Sequence, residues 1–142
     1  MADLTAATYC RIARATESEL MTVPAAEAIT VGTYVQIGSS GTAIAVNSGE
    51  ANGDNLVGGI AVTAAGAAGL PVTFALPGAI LDLGNIFTGM NWGAEVFVGS
   101  TDLVLANATA GTNHVIGVVW PLLGETTTAG VYGKGLRVGN AG

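Results

Sequence analysis

Two seven-residue segments, GTYVQIG at 32–38 and GAEVFVG at 93–99, share the pattern G-x-x-V-x-(I/V)-G. Downstream of each, VGGIA at 57–61 and VIGVV at 115–119 match again as V-x-G-(I/V)-(A/V). Glycine at fixed places permits a turn or the close approach of two backbones, and the branched residues between them pack against neighbours. The pattern predicts two related β-units that bury their apolar faces against each other as a small barrel or a sandwich. With 22 glycines among short apolar runs, chance repetition is the competing account.

The second copy shows the strand signal best. Across 88–121, short runs at 94–98, 103–106 and 115–120 are each closed by glycine or polar residues, and Ala94, Val96 and Val98 alternate with Glu95 and Phe97. A period of two places one side of a strand on a core. The same reading gives strands at 34–37, 42–46, 56–63, 70–76, 79–83 and 131–138, with a GSSG turn at 38–41, polar loops at 47–55 and 124–130, and a Pro77-Gly78 turn. The fold class expected is all-β.

Residues 56–81 contain no charge and are long enough to span a bilayer. Gly58, Gly59, Gly66, Gly69 and Gly78, with Pro71 and Pro77, would break a lipid-exposed helix repeatedly. Two or three buried strands are expected there, and no membrane partner. Residues 1–19 lack the glycine-punctuated pattern. A short helix lined by Tyr9, Ile12, Ala13 and Leu20, with Thr16 and Glu19 at capping-box spacing for a second one, and an extended arm are both compatible with them. We assign 1–22 to an N-terminal arm and 23–142 to the β-domain. No secretory signal is expected, since Asp3, Arg11, Arg14, Glu17 and Glu19 leave no long apolar stretch in the first twenty residues.

Only 10% of the residues are charged and half are hydrophobic, against roughly 25% charged in ordinary soluble domains. A surface so poor in charge implies cover by a partner or by further copies of the chain. Ten acidic against four basic residues give a net charge of −6, with Arg11 and Arg14 the one basic cluster in the sequence. A surface that tracks phosphates needs concentrated positive charge, so nucleic acid is not expected as a partner. Cys10 is the single cysteine and forms no intrachain disulfide; an inert thiol is the bland reading, an intermolecular bridge or a nucleophile the sharper ones.

Chemistry-bearing patterns are sparse. His114 is the only histidine and reads as a polar strand-edge residue. Asp54, Asp82, Glu95 and Asp102 stand in no calcium-type acidic loop and read as turn and rim charges. GSSG and the GTN at 111–113 lack the lysine and following helix of a phosphate loop, and Ser39 and Ser40 have no identifiable base. Trp92 and Trp120 read as core or interface anchors. Neither an enzyme nor a cofactor or metal site is expected.

The ordered series AITVGTYVQIG, a polar loop, LVGGIAVTAA, PVTFALPGAI, MNWGAEVFVGSTDLVLANATAGTNHVIGVVWPLL and VYGKGLRV resembles the bacteriophage capsid cement, or head decoration, protein family. The match covers about 23–138 and rests on glycines and branched residues. It implies a β-barrel-like or tulip-like domain, commonly trimeric, on the outer face of the head. There it would bridge neighbouring major capsid subunits. The resemblance offers no catalytic residues and directs attention to the N-terminal segment as the shell-contacting part. A longer, more charged N-terminal segment and the GETTTAG loop depart from the family pattern and leave the mode of attachment open. Tyr9, Arg11, Ile12, Arg14, Trp92 and Trp120 are the candidate capsid or subunit contacts. The alternatives are a trimeric tail or baseplate module, and a carbohydrate-binding β-barrel with the two tryptophans in its pocket.

Overall fold

The computed structural model describes residues 3–46, 58–99, 105–107, 115–126 and 132–139, with backbone alone at 123–126 and 132. His114, Asp54, Asp102 and the loop expected at 47–55 lie outside the described residues. Eleven strands follow in chain order: β1 Arg11–Arg14, β2 Leu20–Pro24, β3 Tyr34–Ile37, β4 Ala43–Ala45, β5 Gly58–Ala61, β6 Pro71–Ala75, β7 Ile80–Asp82, β8 Glu95–Val98, β9 Leu105–Ala106, β10 Val115–Thr126 and β11 Tyr132–Val138. They form a six-stranded sheet, β1-β7-β11-β10-β8-β9, and a five-stranded sheet, β2-β6-β5-β3-β4. All pairings between these strands are antiparallel, and the sheets do not close into a barrel. The all-β expectation holds, in the form of two open sheets.

The two sheets are copies of one another. Taken in chain order, β2 to β6 are arranged first-fifth-fourth-second-third, and β7 to β11 repeat that order; β1 is an addition at the β7 edge. The register repeats as well. Tyr34 pairs Ile60 and Val35 pairs Gly59, as Glu95 pairs Val118 and Val96 pairs Gly117. Gly32 N–H donates to the Ala61 carbonyl and Gly93 N–H to that of Val119, both at 2.8 Å. Gly32 and Gly93 each have φ +79, a left-handed conformation that a side chain would strain. Chance does not reproduce register, hydrogen bonds and dihedral angle together, so the repeat in the sequence is a structural duplication. One difference is a bulge: Phe97 pairs Val115, leaving Ile116 as the extra residue where the first copy runs straight through.

The second glycine motif marks a close approach. Gly59 and Gly117 lie under the carbonyls of Ala75 and Arg137, equivalent residues on the next strand, and a Cβ at either would collide with that oxygen. Side chains of both sheets then meet in one cluster that includes Tyr34, Ile60 and Ala75 from the smaller sheet and Leu81, Val96, Val119 and Leu136 from the larger. The smaller sheet's other face carries Val35, Val72 and Phe74 and is covered by Ala25, Ile29 and Ala65 from its own connections. That sheet is buried on both faces. Among the described residues nothing comparable covers the outer face of the larger sheet around Ile80, Val118, Trp120 and Arg137, although Asp82, Phe97 and Leu122 on that face are buried.

Three local expectations change. The boundary between 22 and 23 falls inside β2, and 11–24 supplies a strand to each sheet instead of standing off as an arm. The helical alternative reduces to a 3-10 turn at Glu17–Glu19, where Thr16 backbone N–H donates to Glu19 Oε1 at 2.8 Å in the expected capping box. β10 runs on through Pro121 to Thr126, into the span expected as the loop at 124–130. Proline is tolerated because its nitrogen is in phase with that of Val119, which donates toward the β8 side, and β8 ends its ladder with Glu95 opposite Val118. No helix among the described residues is long and apolar enough to cross a membrane.

Candidate binding face

The edge strand β1 carries the first part of the site. Its sequence RIAR would put Arg11 and Arg14 on opposite sides of a regular strand. Arg11 pairs Asp82, Ile12 pairs Leu81 and Arg14 pairs Ile80, so Ala13 is bulged and the two arginines return to the same side. β11 carries the other two basic residues. Arg137 pairs Ile80 from the opposite flank and Val118 on its far side, producing a cross-strand row Arg14, Ile80, Arg137, Val118, Glu95 on the open face. Trp120, 36% exposed, stands on the same face with the Arg137 guanidinium 5.3 Å from its ring centroid.

Two grooves flank this row. One, of about 500 Å³, is lined by Arg14, Glu19, Ile80, Trp120, Pro121 and Arg137 among others. The second, of about 540 Å³, lies toward the β7 turn and includes Tyr9, Arg11, Asp82, Asn85 and Lys134. All four basic residues of the chain border one groove or the other, the Lys134 side chain turning away toward Met90, Thr88 and Trp92. Arg11 is already neutralised: its Nη2 donates to Asp82 Oδ2 at 3.0 Å and its guanidinium lies 4.7 Å from the Tyr9 ring. Asp82 also accepts from Gly84 N–H at 2.9 Å. Lys134 donates to the carbonyls of Met90 and Thr88 and sits 5.1 Å from the Trp92 ring. Arg14 and Arg137 meet no carboxylate among the described residues.

Of the candidate contact residues, Arg11, Arg14 and Trp120 lie on this side of the larger sheet with Tyr9 against Arg11, whereas Ile12 faces the other way and Trp92 stands beside Lys134 ahead of β8. Tyr9, Ile12, Trp92 and Trp120 are four of the five large apolar side chains exposed among the described residues. Ile12 points toward the core side but is 44% exposed, because β1 is the edge strand, with no further strand beyond it among the described residues. Lys134, Arg137, Ile80 and Asp82 belong to the site although nothing marked them in that role; the periodicity of 131–138 would have placed Arg137 on a strand face but not beside Arg14. Among the described residues no group of three or more His, Cys, Asp or Glu side chains is arranged to hold a metal.

Cys10 packs at the edge of the main core, and burial, reinforced by the Asp82 carboxylate, pushes its thiol up from 9.0 to about 12. The folded state therefore keeps the proton that the unfolded chain loses. The stability this contributes is complete below about pH 9 and is lost as pH rises toward about 12. Native protein at pH 8 is expected to react with an aromatic disulfide reagent at least about a hundredfold more slowly than the urea-unfolded chain. Equal rates would show an accessible, ordinary thiol.

Comparison with protein-family models, with curated proteins and with solved structures gives no match to this chain.

Proposed function

We propose that this chain is a structural protein of a bacteriophage virion: as a homotrimer it binds the outer surface of the head and bridges neighbouring major capsid subunits. The observation that carries the reading is the open sheet face, where Trp120 and three of the chain's four cations, Arg11, Arg14 and Arg137, gather on an otherwise acidic, charge-poor protein. The resemblance of 23–138 to head decoration proteins supports it, as does the rigid, doubly buried scaffold behind that face. Many modest, symmetry-related contacts around one shell add by avidity, so no single contact must be tight. Threefold closure gives each copy the same neighbours and leaves no unmatched patch.

The protein ratio on purified virions tests this. We expect one copy per major capsid subunit, or a simple fraction set by local threefold positions. A handful of copies per particle would assign the chain to the tail or baseplate instead, and its absence from particles would overturn the virion reading.

A further inference from the structure

The duplication gives the open face an internal reference. In the smaller sheet the row equivalent to Ile80, Arg137, Val118, Glu95 is Leu20, Ala75, Ile60, Tyr34. There, Ala75 and Ile60 are fully buried and Tyr34 is 5% exposed, packed against the larger sheet. The same surface of the fold is therefore a packing interface in one copy and uncovered in the other. In the uncovered copy its centre remains apolar at Ile80 and Val118, and cations stand on either side of Ile80.

We propose that this row, from Arg14 to Val118, is the docking surface for an acidic, extended polypeptide segment of the protein to which the chain binds. The partner's identity as a capsid subunit rests on the function proposed above; its chemistry rests on the face itself. Arg14 and Arg137 flank Ile80 on adjacent strands, so their Cα atoms are roughly 10 Å apart. Two carboxylates at alternate positions of an extended chain are roughly 7 Å apart, and the long arginine side chains cover the difference. Guanidinium forks take carboxylates in paired hydrogen bonds. The methylene stems of the acidic side chains lie along Ile80, Val118 and the Trp120 ring. Arg11 with Asp82 shows the same pairing completed within the chain. A polyphosphate fits less well, because Ile80 and Val118 offer its continuous charge no partner, while Glu19 in the groove and Glu95 at the end of the row confine an anionic ligand to the stretch between Arg14 and Arg137. Glu19 is held there by its bonds to Thr16.

Nuclear magnetic resonance of the isotope-labelled full chain tests the surface with three probes: an alternating Glu–Val decapeptide, a Lys–Val decapeptide and a ten-nucleotide oligo(dT). The Glu–Val peptide is expected to shift Arg14, Ile80, Val118, Arg137 and the Trp120 indole, while the other two leave them in place. In R14E/R137E, whose own spectrum reports folding, the affinity falls at least about tenfold; R14K/R137K, which keeps the charge and loses the paired hydrogen bonds, falls between it and the parent. No shift with the Glu–Val peptide, equal shifts with oligo(dT), or concentration-dependent shifts at these residues from self-association would each overturn the proposal. On particles the two readings separate. Undiminished occupancy by R14E/R137E would overturn this surface and leave the virion role standing. Absence from virions with intact Glu–Val binding would do the reverse.

Discussion

Gly117→Ala is expected to destabilise the protein by about 3 kcal/mol or more, and Gly59→Ala by a similar amount. The atom in the way is not the tip of a flexible side chain. At Gly117 it is the Arg137 carbonyl oxygen of the paired strand, with Leu136 Cδ1 at 2.7 Å as well; at Gly59 it is the Ala75 carbonyl oxygen, with Phe74 Cδ2 at 3.3 Å. A methyl group enters only if β10 moves off β11, or β5 off β6, and that movement opens the ladder from the end at which each glycine stands. Urea unfolding of both variants, beside Gly66→Ala and Gly89→Ala, measures the effect. The latter two glycines face open space, and their variants should stay within about 0.5 kcal/mol of the parent. Gly117→Ala as stable as Gly89→Ala would mean that the strands are not held as closely as described.

Phe74→Ala should be the costliest truncation of a single side chain, about 3–5 kcal/mol. Phe74 is fully buried between β6 and the covering residues Ala25, Ile29 and Ala65, beside Val35 and Val72. Small residues surround it, so little side-chain volume is available to refill the space. Against typical domain stabilities of roughly 5–15 kcal/mol, such a loss leaves a marginal fold. Leu136, its equivalent in the second copy, is also fully buried, and Leu136→Ala should cost about 2–5 kcal/mol. Trp120→Ala, on the open face, should leave the urea midpoint nearly unchanged. A Phe74→Ala protein with the parent's midpoint would remove the second cluster from the account of stability.

The strands that alternation marked, at 34–37, 71–75 and 95–98, stand where the sequence reading placed them, because each has a solvent-poor face and a glycine or proline at its end. The N-terminal strands were harder to see. Arg11–Arg14 is exposed along its whole length and pairs with residues about seventy positions later, so no local pattern announces it. Pro121 looked like an end to β10 because local rules cannot show that its nitrogen faces the β8 side beyond the point where β8 has ended. The site divides the same way. Tyr9, Arg11, Arg14 and Trp120 were legible as aromatic or charged residues in a chain short of both. Arg137 was not, since its relation to Arg14 comes from both pairing with Ile80 and from one bulge at Ala13.

The two copies join through unlike faces: the smaller sheet contributes the row containing Ala75 and Tyr34, and the larger sheet contributes the opposite side, with Val96, Val119 and Leu136. Contact of that kind has direction, like one brick laid on the next, and nothing in its geometry limits the course to two. A larger sheet that repeated alanine and tyrosine in its outer row would offer a further layer a ready seat, although the far side of the smaller sheet, covered by Ala25, Ile29 and Ala65, is not free to take it. Arg137 and Glu95 occupy those two places instead. Two charged side chains thus stand where the first copy carries the seat for its neighbour, and the stack of sheets within the chain stops at its second layer.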